Sequence, residues 1–374
     1  MTGKYLAVKK KEYVKYSNNL DNKFDTLAEY LKKMGYYTAA FVSNPNLRMN
    51  QGFEQGFESF SEAGEQGWDS QKMTVEALNL LNNYQGDKPI FIWLHYLEPH
   101  IPYTPSKEFL RKFENDRLYK ENDKILELDP DNNSSSYSSN GYIPKAAFQE
   151  NKYNLTYYIA CYDAEILQAD YYIGRLLNGI KDDTIVILTA DHGESLGEHG
   201  KYFTHAENIY DELLSVPLII KDSRYFNGGR KITAVVSTVD IVPTIMNRIA
   251  PFWYFFNKNR FNGLDLSGML DGKNTGRKYI YSYYPWALSI RDVREDVKYI
   301  KVIKGMAELY FLPDEYANHI NDGSLRVIRI REKLRKELKK WKNASYPITA
   351  DINSKKASLD DQTKELLKSV GYLK

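Results

Sequence analysis

Between Thr184 and Leu218 a β-branched and aliphatic run, Ile185-Val186-Ile187-Leu188, stops abruptly at Ala190-Asp191-His192-Gly193-Glu194. A short apolar run of that kind, ended by turn residues, predicts a strand buried on both faces. Helices must then cover both faces, which restricts the chain to an α/β architecture. The same run carries a carboxylate and an imidazole to the carboxyl end of a strand, the edge of open α/β sheets where ligands bind. Successive strand side chains point to opposite faces, so Asp191 and His192 meet one ligand only if the chain leaves strand geometry there. Gly193 permits that turn. A bare Asp-His pair at a strand end is more often a cap or a turn. Here the continuation G-E-x-x-G-E-H-G, with His199 and then His205, shifts the reading towards a site. Of the six histidines, His192, His199 and His205 fall in this stretch and His100 in one other window.

Bulk properties narrow the classes. A net charge of +2 on 51 basic and 49 acidic residues leaves no basic excess for a nucleic-acid partner. A single cysteine, Cys161, rules out an intrachain disulfide framework. No apolar run reaches the ~18 residues of a transmembrane segment. The first residues, MTGKYLAVKKKEY, hold no apolar core of a signal peptide, so the N-terminus taken literally implies a cytoplasmic chain.

Taken in order, the chain alternates. Leu27, Tyr30, Leu31 and Met34 recur at helical spacing before Gly35, which sits where a helix C-terminal cap belongs, and Thr38 to Val42 reads as a short buried strand. A helix over Met73 to Tyr84, with Val75, Leu78 and Leu81 on one face, precedes a second buried strand from Lys88 to Leu94. That strand runs into His95-Tyr96-Leu97-Glu98-Pro99-His100-Ile101-Pro102-Tyr103, whose prolines impose an irregular loop. The polar run 129–142 is expected to be a mobile insertion. Tyr157 to Asn178 carries Tyr162, Ile166, Ala169, Ile173, Leu176 and Leu177 at helical spacing. A short helix over 210–214, strands over 216–220 and 233–237, and a helix over 239–245 with Asp240 near its N-cap follow. The aromatic run Pro251 to Phe261 suits a glycan, a lipid surface, a partner subunit or the core itself. From Lys278 onward, short β-like segments predict an antiparallel subdomain, and a basic helix over 330–342 presents Leu334, Leu338 and Trp341 on one stripe.

The phrases D-H-G-E-S-L-G-E-H-G, I-Y-D-E-L-L-S-V-P-L-I-I and P-H-x-P-Y resemble those of sulfatases in the alkaline phosphatase superfamily. The opening M-T-G-K-Y is similar to the tail of that family's nucleophile signature, C/S-x-P-x-R followed by T-G, and E-L-Y resembles its C-terminal sheet. The resemblance implies an α/β fold: a mixed, mainly parallel sheet sandwiched by helices, with a small antiparallel C-terminal subdomain and the first strand missing. It implies a catalytic domain over 1–275 and a C-terminal sheet with terminal helices over 276–374, the last of these over 363–372. It implies a metal-dependent hydrolase of sulfate esters on small molecules or glycans. Asp191 and His192 become ligands of a divalent metal, His100 and His205 catalytic groups on the sulfuryl oxygens or the leaving alcohol, and Asn44 and Lys201 substrate-binding residues. Calcium is the family's common ion, while an imidazole ligand suits manganese or zinc better. Asn44 lies beside Ser43 and Pro45, which stand where many sulfatases carry a Lys and a His. The signature C/S-x-P-x-R occurs nowhere in the 374 residues. A truncated, inactive hydrolase is therefore expected. A phosphoglycerol or phosphoethanolamine transferase of the same superfamily and a non-catalytic anion-binding remnant are the alternatives, and the oligomeric state stays open.

Overall fold

The structure is a computed structural model that describes residues 1–5, 20, 22–47, 49–64, 67–114, 119, 124–128, 142–145, 147–205, 208–224, 229–270, 276–284, 286–303, 305–312, 320 and 323–345. The insertion expected over 129–142, save Tyr142, and the helix expected over 363–372 lie outside the described residues. The chain forms two compact units that interleave along the sequence. One comprises residues 17–206, 217–225 and 355–374, the other 1–16, 207–216 and 226–354. The 275/276 boundary falls inside the second of these.

The first unit begins with helix α1 (Leu27–Lys33), started by a capping box. The Thr26 hydroxyl accepts from the Glu29 N–H (3.1 Å), and the Glu29 carboxylate accepts from the Thr26 N–H (2.8 Å). Gly35 ends it at φ +87°, a left-handed cap of the kind expected there. Strands β1 (Tyr37–Val42), β2 (Ser59–Glu62) and β3 (Ile90–His95) form a parallel sheet in the order β2-β1-β3. Helix α2 (Ser70–Asn83) connects β2 to β3. Short helix α3 (Lys107–Leu110), a two-residue parallel pair β4 (Glu127–Leu128) and β5 (Tyr142–Ile143), and the long helix α4 (Leu155–Asn178) follow. Strand β6 (Val186–Thr189) then pairs antiparallel with β9 (Leu218–Lys221), and between them β7 (Ser195–Leu196) and β8 (Tyr202–Thr204) make a bulged ribbon.

Three expectations are corrected here. β6 is only partly buried, because among the described residues its one strand partner is β9. The buried face of α2 is Met73, Thr74 and Ala77, while Val75 is exposed. Small side chains let α2 and α4 approach until the Thr74 hydroxyl donates to the Tyr172 carbonyl (3.2 Å), and a stripe of bulkier residues would hold them apart. On α4 the buried face is Tyr158, Cys161, Ala164, Glu165 and Gln168, and Ile166 of the expected stripe is exposed. The core beneath this face gathers Ile101, Tyr103, Ile143, Tyr158, Cys161 and Phe203.

The second unit contains α5 (Asp211–Leu214), α6 (Ile241–Ile249), α7 (Pro251–Asn257) and α8 (Ser267–Leu270). Its antiparallel meander is β10 (Tyr279–Tyr284), β11 (Ala287–Asp292), β12 (Val297–Val302) and β13 (Ala307–Phe311). Helix α9 (Leu325–Ser345) lays Val327, Leu334 and Leu338 on that sheet against Ile290, Tyr299 and Leu309, as its apolar stripe predicts. Residues 233–237 form no strand. Asp240 does not cap α6 with its side chain. It is buried, and its carboxylate accepts from the N–H groups of Ser237 (2.9 Å) and Leu264 (2.7 Å) and from Arg277.

Candidate active site

The parallel register places Val42 opposite His95, so β1 and β3 end at one level, and Asn44 and the 98–106 loop both leave from that edge. The loop is held by α4. Glu165 Oε1 accepts from the Thr104 N–H (2.6 Å), Gln168 Oε1 from the Ser106 N–H (2.9 Å), and Gln168 Nε2 donates to Glu98 Oε1 (3.4 Å). A helix is the stiffest element available, and two of its side chains grip the backbone just beyond His100. Glu98 in turn accepts from the Ser70 N–H at the start of α2 (2.6 Å).

The second half of the site comes from the end of β6. Past Thr189 the chain leaves strand geometry, as Gly193 was expected to allow, and the β7–β8 ribbon folds His205 back onto His192. Their rings stack at 4.3 Å and 12°, and the His100 ring lies 4.7 Å from that of His205, tilted by 55°. Three imidazoles, separated by up to 105 positions, thus form one file.

Two of them have their tautomer set by a carbonyl, which can only accept. His100 Nδ1–H donates to the Ile101 carbonyl (2.6 Å) and His192 Nδ1–H to the Gly193 carbonyl (2.8 Å), so in the neutral rings each Nε2 is bare. The bare His192 Nε2 lies 3.7 Å from Asp191 Oδ2. The other Asp191 oxygen accepts from the His192 N–H (3.0 Å).

Burial pushes the His100 imidazole down to about 4, with the neighbouring His205 adding to the effect. Burial, then His192, takes His205 down to about 3. Both are neutral near pH 7. Glu194 is forced up by burial to about 7, and its Oε2 lies 3.6 Å from His205 Nδ1. With the imidazole neutral, that contact is a dipolar one and not an ion pair. Surrounding protein tends to raise Asp191, but His192 and His95 outweigh it, and the carboxyl is held below its usual range.

The chain's own donors pass a first test for a cation. An oxygen and a nitrogen each about 2.0–2.4 Å from an ion, at angles near 100°, sit about 3–4 Å apart. The Asp191–His192 separation of 3.7 Å meets that, with a lone pair on each. Among the described residues, however, no three His, Cys, Asp or Glu side chains converge on one point. These residues supply two ligands, not a complete shell.

Of the remaining expected site residues, Asn44 is buried and spends its side-chain oxygen on the Asn46 N–H (2.8 Å), a local turn. Lys201 lies in the turn before β8, where its N–H donates to the Glu198 carbonyl (2.9 Å). The ring contacts that join His100, His192 and His205 include neither. Sequence reasoning gave neither His95 nor Glu194 a role in the site. His95 ends β3 within electrostatic reach of Asp191. Glu194 was visible as the acid directly after D-H-G.

Residues 2–249 match the family described as Sulfatase. The chain is 30% identical over 169 residues to the uncharacterized sulfatase YidJ of Escherichia coli, covering 43% of this chain and 32% of that protein. Measured against the curated relatives it matches, the chain spans about a third to just over half of their length, 32%, 56% and 47% for three of them. Among solved structures it superposes with a TM-score of 0.66 on BT4656 in complex with its substrate D-glucosamine-2-N,6-O-disulfate, at 21% identity over 88% of this chain and 84% of the other. It superposes equally, with a TM-score of 0.66 at 18% identity, on the phosphonate monoester hydrolase of Agrobacterium radiobacter, covering 88% and 82%. These likenesses bear out the α/β fold with its small antiparallel C-terminal sheet.

Proposed function

The chain belongs to the sulfatase family, and from that premise we propose that its file of histidines is the sulfuryl-binding half of a sulfate-ester hydrolase site. The observation that carries the reading is the cluster of three imidazoles beside Asp191: His192 and His205 stacked, and His100 tilted against His205. The His100 and His205 imidazoles are buried and neutral, and a ring nitrogen among them binds an anionic oxygen once it carries a proton. A sulfate ester entering beside them brings the charge that favours their protonation. His100, whose Nε2 carries no proton in the neutral ring, takes one up under that influence and can return it to the leaving alcohol. His205, in ring contact with both His100 and His192, hydrogen-bonds a sulfuryl oxygen. Asn44 keeps only its amide Nδ2 for a ligand, its oxygen being taken by the Asn46 N–H, and Lys201 supplies a cation from the turn before β8.

Asp191 and His192 would hold a divalent cation as two of its ligands; calcium is the expected ion, manganese or zinc the alternatives. When bound, the ion places positive charge on the oxygens of the ester. A sulfated sugar such as the one named for BT4656 suits a site of this kind.

Calorimetric titration with glucosamine 6-sulfate, inorganic sulfate and inorganic phosphate, each with and without calcium, tests this. His100→Ala or His205→Ala is expected to weaken sulfate-ester binding about tenfold, the worth of one charge-assisted hydrogen bond. Equal affinity in both variants removes the basis of the proposal. Phosphate bound in preference to the sulfate ester points instead to the phosphotransferase branch.

A further inference from the structure

The aromatic run that follows α6 serves no purpose in the site just described. Pro251 starts α7 at the position where its missing N–H costs nothing, and seven residues later the helix gives way to a single turn at Lys258–Arg260. One face of α7 turns inward, where Trp253 and Tyr254 pack on Phe261 at 6.4 and 6.2 Å. The opposite face carries Phe252, Phe255 and Phe256, spaced i, i+3, i+4, with 80%, 64% and 68% of their surface exposed. A contiguous apolar cluster of this kind, rimmed by polar residues, marks a candidate contact with a protein or a membrane.

Three features decide what. The exposed rings are all phenylalanine, with no hydroxyl or indole N–H to offer a sugar. The adjacent amide is already occupied: Asn257 Nδ2 donates to the Trp253 carbonyl (2.8 Å) and its Oδ1 accepts from Arg260 Nε (3.0 Å). A glycan needs converging polar groups around an aromatic platform, and this face has none among its exposed rings. The area is too small for a second copy of the chain. Three rings of about 150–250 Å² each, exposed to that degree, offer about 300–500 Å² against about 800 Å² per partner in a standard interface.

The charge is one-sided. From Arg248 to Leu264 the sequence holds Arg248, Lys258 and Arg260 and no acidic residue, and Lys258 Nζ sits 5.4 Å above the Phe255 ring at the edge of the patch. Apolar rings on one helix face beside cations are the pattern of a helix lying in a membrane interface.

We propose that the Phe252/Phe255/Phe256 face of α7, with Lys258 and Arg260 beside it, is a peripheral anchor for a bilayer rich in anionic lipid. No long apolar helix is required for this, and among the described residues none is long and apolar enough to cross a membrane. The inference is independent of the sulfate-ester reading.

The test is co-sedimentation of the full chain with sucrose-loaded vesicles of phosphatidylcholine alone or mixed with phosphatidylglycerol. The wild-type chain is expected on the mixed vesicles with at least about tenfold preference over the neutral ones, weakening as salt rises. F252S/F255S/F256S loses that binding while its circular dichroism and melting temperature are unchanged, since the rings lie outside the core. K258E/R260E keeps residual binding and loses the preference for phosphatidylglycerol. A dye attached at Phe256→Cys shifts to the blue on adding mixed vesicles, which reports insertion even if the triple variant misfolds. The proposal is overturned by three results: no binding to mixed vesicles at low salt, equal binding by the triple variant, or a wild-type dimer in light scattering that the triple variant dissolves.

Discussion

Glu165 offers the sharpest check on the packing of the site. Its side chain is 3% exposed; Oε1 accepts from the Thr104 N–H, and Oε2 is buried without a hydrogen-bond partner. Burial lifts its pKa from 4.5 to about 9, against the lowering effect of the Thr104 N–H. The folded chain therefore keeps this carboxyl protonated at neutral pH while the unfolded chain ionises it. The linkage has a definite sign. Below pH 4.5 both states hold the proton and the group contributes no penalty. As pH rises towards 9 the unfolded state gains by ionising, and the stability present at low pH is lost. At about 1.4 kcal/mol per pH unit, the penalty is about 1 kcal/mol at pH 5, about 3 at pH 7 and about 5 at pH 8.5. Glu165→Gln keeps an acceptor for Thr104 and cannot ionise. Its urea-measured stability relative to wild type should rise by about 4 kcal/mol between pH 5 and pH 8.5, whatever constant offset its buried amide adds. A difference that stays flat across that range would refute the reasoning. Glu165→Leu removes the acceptor as well, and hydrogen exchange of the Thr104 amide should accelerate in that variant alone.

Two further substitutions probe the frame around the site and the second unit. A Cβ at Gly56, whose φ is +88°, would sit 2.3 Å from the Glu29 N. Gly56→Ala is therefore expected to cost more than about 2 kcal/mol in urea unfolding, by strain and by displacing the capped start of α1. Asp240→Asn leaves the buried Arg277 guanidinium, 12% exposed, without its counter-charge, and a loss of about 3–5 kcal/mol is expected. A loss under about 1 kcal/mol would mean that Ser237 and Leu264, not the ion pair, are what Asp240 serves.

Local sequence pattern foretold the elements that depend on local physics. Gly35 had to end a helix, Asp191-Gly193 had to leave a strand, and Leu334 and Leu338 had to face a sheet; each does. Reading failed where burial obeys partners and not period. On α4 the spacing favoured Ile166, yet the face turned inward is the one with Glu165 and Gln168, because the proline-rich 98–106 loop has backbone N–H groups that no strand can satisfy. A hydrophobic stripe would have left Thr104 and Ser106 without acceptors. The cost of burying an acid and an amide is thus set against the cost of orphaned backbone donors. The same exchange explains why His100 arrives beside His205: the loop is shaped by what α4 offers it. Asn44 illustrates the converse. Its position at the sheet edge was legible, but a turn two residues on claimed its oxygen first. A side chain's availability to a ligand is what remains after its own backbone has been satisfied. That remainder is not written in residue spacing, and it separates the three clustered imidazoles, brought together by a loop and a ribbon, from the other polar residues that merely lie near the same edge.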